Sequence, residues 1–80
     1  MELKSARPVS VIAAEIRSDW KKVSFSAMPY LESMEEINSI SDRYGAEDAK
    51  TIVLYFLSNA TSWQGPVARR IKAELKNMTS

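Results

Sequence analysis

The side chains best suited to recognition chemistry stand in the last quarter of the chain, in SNATSWQGPVARRIKAELKNM, residues 58–78. Gln64, Arg69 and Arg70 would lie near the amino end of a helix there, with Lys72 and Lys76 further along. Glutamine can bridge two hydrogen-bonding atoms of adenine, arginine can do the same with guanine, and lysine meets phosphate. Preceded by a helix and a polar turn at residues 59–62, this segment would have the outline of a helix-turn-helix. A plainer account fits the same residues. Arg69, Arg70, Lys72 and Lys76 are equally the wet side of a helix packed through Ile71 and Leu75, with Glu74 mixing the charge. Cations near a helix carboxyl end are favoured by its dipole in any case. Gly65-Pro66 also falls where a reading helix needs a regular first turn. The stretch therefore reads first as a solvated packing helix. Contact with nucleic acid or an acidic partner through Gln64, Arg69, Arg70, Lys72 and Lys76 comes second.

Catalytic chemistry has less to work with. The chain has no histidine, the commonest general base near neutral pH, and no cysteine for a thiolate, a disulfide or a zinc site. Glu32, Glu35 and Glu36 lie on one short stretch without a companion imidazole. Asp42, Glu47 and Asp48 around Gly45 lack the alternating ligands and closing bidentate glutamate of a calcium loop. Ser24, Ser26 and Ser33 have no activating base nearby in sequence. The expectation is a protein that is not an enzyme, with no metal, no cofactor and no small-molecule substrate.

The elements that must position these residues follow from apolar spacing. Val9, Ile12, Ala13, Ile16 and Trp20 recur at steps of three and four after Pro8, which places a helix at about 8–21. Val23, Phe25 and Ala27 alternate, but no similar run exists to pair with them, so that segment reads as a linker rather than a strand. Ser26 is a candidate cap for a second helix at about 27–37, buried through Leu31, Met34 and Ile37. A polar connection follows, with room for one helical turn at 39–43 and a stop at Gly45. The third helix, at about 46–60, is apolar nearly all round through Ile52, Val53, Leu54, Tyr55, Phe56 and Leu57, which suggests a central place in the bundle. Glu47 and Asp48 would complement its amino-terminal dipole. A fourth helix spans about 63–78, with Pro66 in its first turn and Thr61 and Gln64 as a candidate capping box. The expected class is all-α, one compact bundle of four short helices in a single domain, with 1–7 and 79–80 flexible. Its core is expected to take in Ile12, Ile16, Trp20, Phe25, Leu31, Met34, Ile52, Val53, Phe56, Trp63, Ile71 and Leu75.

Charge is unevenly spread behind a formal total of +1. Residues 27–48 hold Glu32, Glu35, Glu36, Asp42, Glu47 and Asp48 against Arg43, a local balance of −5, while residues 61–80 carry +3. Opposite patches of this kind can meet within the fold or across a self-associating pair, where they choose orientation more than they add stability. So many large apolar side chains on short helices also exceed what one small core readily encloses. A protein partner or a second copy of the chain is the expected companion.

No basic region followed by an unbroken apolar run opens the chain, and its most apolar stretch, residues 51–57, is far short of the roughly 20 residues that cross a bilayer. A cytoplasmic protein without a membrane partner is expected. PYLESM at 29–34, YFLSNATSW at 55–63 and RRIKAEL at 69–75 resemble a group of small helical proteins encoded on bacterial prophages and integrated mobile elements. The resemblance covers about residues 9–78 and implies a bacterial or phage cytoplasmic setting. It attaches no activity to any residue.

Overall fold

In the computed structural model, which describes residues 7–45 and 47–80, the first helix, α1, runs Val9–Asp19. Pro8 stands just before it, and its carbonyl accepts the Val11 and Ile12 N–H groups that would otherwise lack partners. The helix stops two residues earlier than apolar spacing predicts. Trp20 leaves helical geometry at φ −95° and ψ 86°, its N–H still bonded to the Ile16 carbonyl at 2.7 Å. That departure turns its ring into the core.

Helix α2, Met28–Met34, is shorter than the expected 27–37. Ala27 rather than Ser26 holds the cap position, and no side chain caps the helix. The turn is stitched instead through the Ser24 carbonyl, which accepts from both Ala27 and Met28. Past Met34 the chain loosens into a turn, yet Ile37 remains buried. Here α1 and α2 are tied together: the Val9 and Ser10 N–H groups donate to the Asn38 and Ile37 carbonyls at 3.0 and 2.8 Å.

A short hairpin then takes the place of the predicted start of the third helix. β1, Arg43–Tyr44, pairs antiparallel with β2, Glu47–Asp48, and Gly45 turns the corner at φ 64°, a conformation that favours glycine. Residues 47 and 48 are thereby drawn out of helical geometry. In place of a helical turn at 39–43 stands a single turn, closed by the Asp42 N–H donating to the Ser39 carbonyl at 2.9 Å and by the Asp42 carboxylate accepting from the Ser39 N–H at 3.0 Å. Helix α3, Ala49–Ser58, begins immediately after the hairpin.

Helix α4, Pro66–Thr79, begins later than expected. Gly65 occupies its cap position at φ 116°, Pro66 takes the first helical position, and the capping box of Thr61 and Gln64 does not form. At the other end Thr79, expected to be flexible, is helical and buried, its hydroxyl donating to the Lys76 carbonyl. The expected flexible amino end, as far as residue 6, lies outside the described residues.

The four helices form an all-α bundle in which α2 packs on α3, α3 on α4, and α1 on both α4 and α2. Neighbours in sequence are thus neighbours in space around a closed ring. The Cα radius of gyration, 11.7 Å, equals the roughly 11.6 Å that a single compact domain of this length should have. Ile12, Ile16, Trp20, Leu31, Met34, Ile52, Val53, Phe56, Trp63, Ile71 and Leu75 are buried, joined by Val9, Ile37 and the small residues Ala13, Ala27, Ala49, Ala60 and Ala68. Phe25 is the exception among the expected core residues, 97% exposed on the turn between α1 and α2. The alternation of Val23, Phe25 and Ala27 hid this, because in a turn successive side chains do not share a face.

No helix among the described residues is long and apolar enough to cross a membrane. Phe56 and Phe25 give opposite expectations for one substitution. Phe56→Ala should cost about 3–5 kcal/mol, because it empties a fully buried site. Phe25→Ala should stay within about 0.5 kcal/mol of the parent at protein concentrations low enough to keep the chain monomeric. Urea unfolding followed by circular dichroism separates the two.

Candidate interaction surfaces

The basic residues of α4 do not form one free cationic stripe. Ala68, Ile71, Leu75 and Thr79 face inward, which divides the polar positions between two flanks. On one flank Arg70 reaches across to Glu15 of α1. Glu15 also accepts from Arg7 at 3.0 Å, and Arg7 grips Glu74 with a two-pronged contact at 2.7 and 3.0 Å. The chain Arg70–Glu15–Arg7–Glu74 fastens α1 to α4. Hydrogen bonds from Arg70 and then Arg7 hold the Glu15 carboxyl below its ordinary range. Arg7 is held above its own, chiefly by Glu74.

Lys72 is turned inward. Its Nζ donates to the Trp63 carbonyl at 2.6 Å and lies 5.8 Å from the centre of the Trp63 ring. Partial burial, followed by repulsion from Lys76, lowers its pKa. Gln64, Arg69 and Lys76 remain exposed, but Gln64 stands in the connecting loop before the helix. The five residues of the alternative contact set are therefore dispersed: two in internal contacts, one in a loop, and two on the open surface.

The link between α3 and α4 is also unlike a helix-turn-helix. It occupies residues 59–65, longer than the three or four residues of that motif, and buries Trp63 in its middle. Trp63 stacks on Trp20 at 5.7 Å with the rings 11° apart, and its Nε1 donates to Asp19 at 2.9 Å. The loop is thus a structural plug rather than a hinge that presents a reading helix.

Among the acidic residues, Glu35 binds Arg17 of α1 and Asp48 binds Arg43 across the hairpin at 3.0 Å. Among the described residues, no ion pair joins the acidic segment 27–48 to the basic segment 61–80. Nor do three or more acidic side chains converge there on a common point that could hold a metal ion. The charge asymmetry is left facing outward.

Sequence reasoning missed the most distinctive surface, which lies on α2 and α3. The nearly all-round apolarity of α3 suggested a central helix, yet α3 is one member of the ring, with Leu54 43% and Tyr55 49% exposed. Its outer positions are Lys50, Leu54, Tyr55 and Ser58, with Thr51 half-buried beside them, and Lys50 is the only charged residue in the helix. Tyr55 meets Tyr30 of α2 with ring centres 5.5 Å apart. At the carboxyl end of α3, the Ser24 hydroxyl donates to the Asn59 carbonyl at 3.1 Å, which brings the turn bearing Phe25 to the same end. The signal in the sequence was a helix with too many large apolar residues for one buried stripe.

Compared with protein-family models, curated proteins and solved structures, the chain matches none. The physical consequences of the site geometry therefore rest on its own residues. Because Glu15 has a lowered pKa in the folded state, its contribution to stability is present above the unfolded carboxylate value and is lost as pH falls through the folded one. The stability difference between the parent and Glu15→Gln should shrink as pH is lowered below about 4.3, the ordinary carboxylate value. Urea midpoints measured from pH 6 to pH 3 test the sign.

Proposed function

We propose that the protein is a noncatalytic binding module that contacts another protein, or a second copy of itself, through the outer face of α2 and α3. The observation that carries this reading is the charge-poor exposed face containing Leu54 and Tyr55, with Tyr30 beside it. The centres of protein interfaces are depleted in charge and enriched in aromatic residues, whereas a solvated helix ordinarily spreads lysine and glutamate over its outer positions. Phe25, almost wholly exposed at one end, offers a further apolar anchor. A single exposed leucine would carry no such weight. Its place beside Tyr55 on the same helix, with Tyr30 of α2 meeting Tyr55, is the distinguishing feature.

Nucleic-acid binding by α4 is the competing reading, supported by the exposure of Arg69 and Lys76. Arg70 and Lys72 are already engaged within the bundle, which leaves little concentrated positive charge for phosphate. The two readings separate in light scattering coupled to size exclusion at low salt, with and without a mixed DNA and RNA pool. The binding-module reading predicts no change with the pool. A mobility shift that disappears in an Arg69→Glu, Lys76→Glu variant would overturn it and move the working surface to α4.

A further inference from the structure

Building on the α2–α3 contact surface, we infer that its occupant is a second copy of this chain, seated antiparallel about a two-fold axis that crosses α3. Charge complementarity chooses this arrangement. The amino end of α3 follows Glu47, and Glu36 and Asp42 lie at the same end of the bundle, none of them in an ion pair among the described residues, whereas Glu35 and Asp48 are already held by Arg17 and Arg43. This grouping follows from the ring, because the end of α2 leads through the hairpin into the start of α3. The opposite end holds the carboxyl end of α3 and the turn containing Lys21, Lys22 and Phe25. Lys21 and Lys22 are exposed there and have no ion-pair partner among the described residues.

A two-fold axis perpendicular to α3 brings the amino end of one α3 to the carboxyl end of the other. Each acidic end then faces the partner's lysine-bearing turn, twice by symmetry, while Leu54 and Tyr55 lie between the two charged zones. The parallel arrangement would instead place acid against acid and lysine against lysine. The antiparallel helices also oppose their dipoles.

The size of the face requires the ends to take part. A ten-residue α3 is about 15 Å long, and two adjacent helices span about 20 Å, a footprint of about 300 Å². A stable dimer commonly removes about 800 Å² from each partner. A contact of that size is about a sixth of the chain's 4865 Å² of accessible surface, and on this footprint it must extend beyond the two helices toward the lysine turn and the acidic end. Phe25 then lies within the contact instead of standing alone in water.

The test uses two charge-reversed full-length variants, K21E/K22E and E36K/E47K, with light scattering over a concentration series at low salt. The parent should form a dimer, and each variant alone should dissociate at least about tenfold more readily, because both symmetry-related contacts become repulsive. An equimolar mixture should regain the parental dimer, since both contacts between unlike variants become attractive. Rescue by mixing also excludes misfolding as the cause of dissociation, and circular dichroism of each variant checks it independently. A parent that stays monomeric across the series overturns the self-contact while leaving a foreign protein partner for the α2–α3 face. A dimer weakened by Leu54→Glu but indifferent to both charge reversals keeps the face and overturns the antiparallel arrangement. A dimer indifferent to Leu54→Glu as well removes the α2–α3 reading itself.

Discussion

The bundle depends on the aromatic junction of Trp20, Phe56 and Trp63. These residues come from the end of α1, the middle of α3 and the loop before α4, so no local segment can assemble the junction alone. Phe56 meets Trp20 and Trp63 edge-on, with ring centres at 6.2 and 6.4 Å, while the two indoles stack. Edge-to-face and offset contacts between aromatic rings add about 0.5–1.5 kcal/mol each beyond the area they bury. The polar atom of Trp63 is not wasted in this apolar setting, because Asp19 accepts its N–H at the rim. A second contact from Lys72 to the Trp63 carbonyl closes the loop over α4. This long-range aromatic junction thus determines where α1 ends and how the loop runs before Gly65 and Pro66 start α4.

The ion pairs perform a different task. They lie at partly exposed positions, where the attraction between charges is weakened by water and by the ordering of long side chains. Arg7 between Glu15 and Glu74, and Arg17 with Glu35, are better understood as choosing the orientation of α1 against α4 and α2. Burial of Ile12, Ile16, Ile71 and Leu75 supplies the driving force between those helices, and the charged pairs discourage a slipped arrangement. Arg70 illustrates the distinction. In sequence it belonged to a cationic set read first as the wet side of α4 and second as a contact for an outside partner, whereas in the fold it completes an internal network.

The helices were legible because their buried residues recur at three- and four-residue spacing. Ile12, Ile16, Ile52, Val53, Phe56, Ile71 and Leu75 all occupy the core on that basis. The boundaries were less legible because they depend on tertiary choices. Trp20 abandons helical geometry for the aromatic junction, and Glu47 and Asp48 enter a two-residue ladder too short to show alternation. Phe25 was misplaced because hydrophobicity records the benefit of burial without saying whether a turn can deliver the side chain to the core. The α2–α3 face was obscured for a related reason. Leu54 and Tyr55 sit beside core residues in sequence, and only the packing of α3 against α2 and α4 reveals which side is left open.

That open side connects the economy of the fold to its proposed work. A domain of 80 residues has a small interior relative to its surface, and three large aromatic rings already occupy much of one end. Helix α3 consequently meets the core through one stripe while presenting Leu54 and Tyr55 at the outside, with the half-buried Tyr30 of α2 packed between Tyr55 and the core. Filling those outer positions with lysine or glutamate would suit solvent and would leave the inward stripe unchanged. The apolar residues present there are therefore unnecessary for closing the bundle. On the proposed reading, their placement between an acidic end and a lysine-bearing turn gives them a use that depends on a second surface, and on the direction from which that surface approaches.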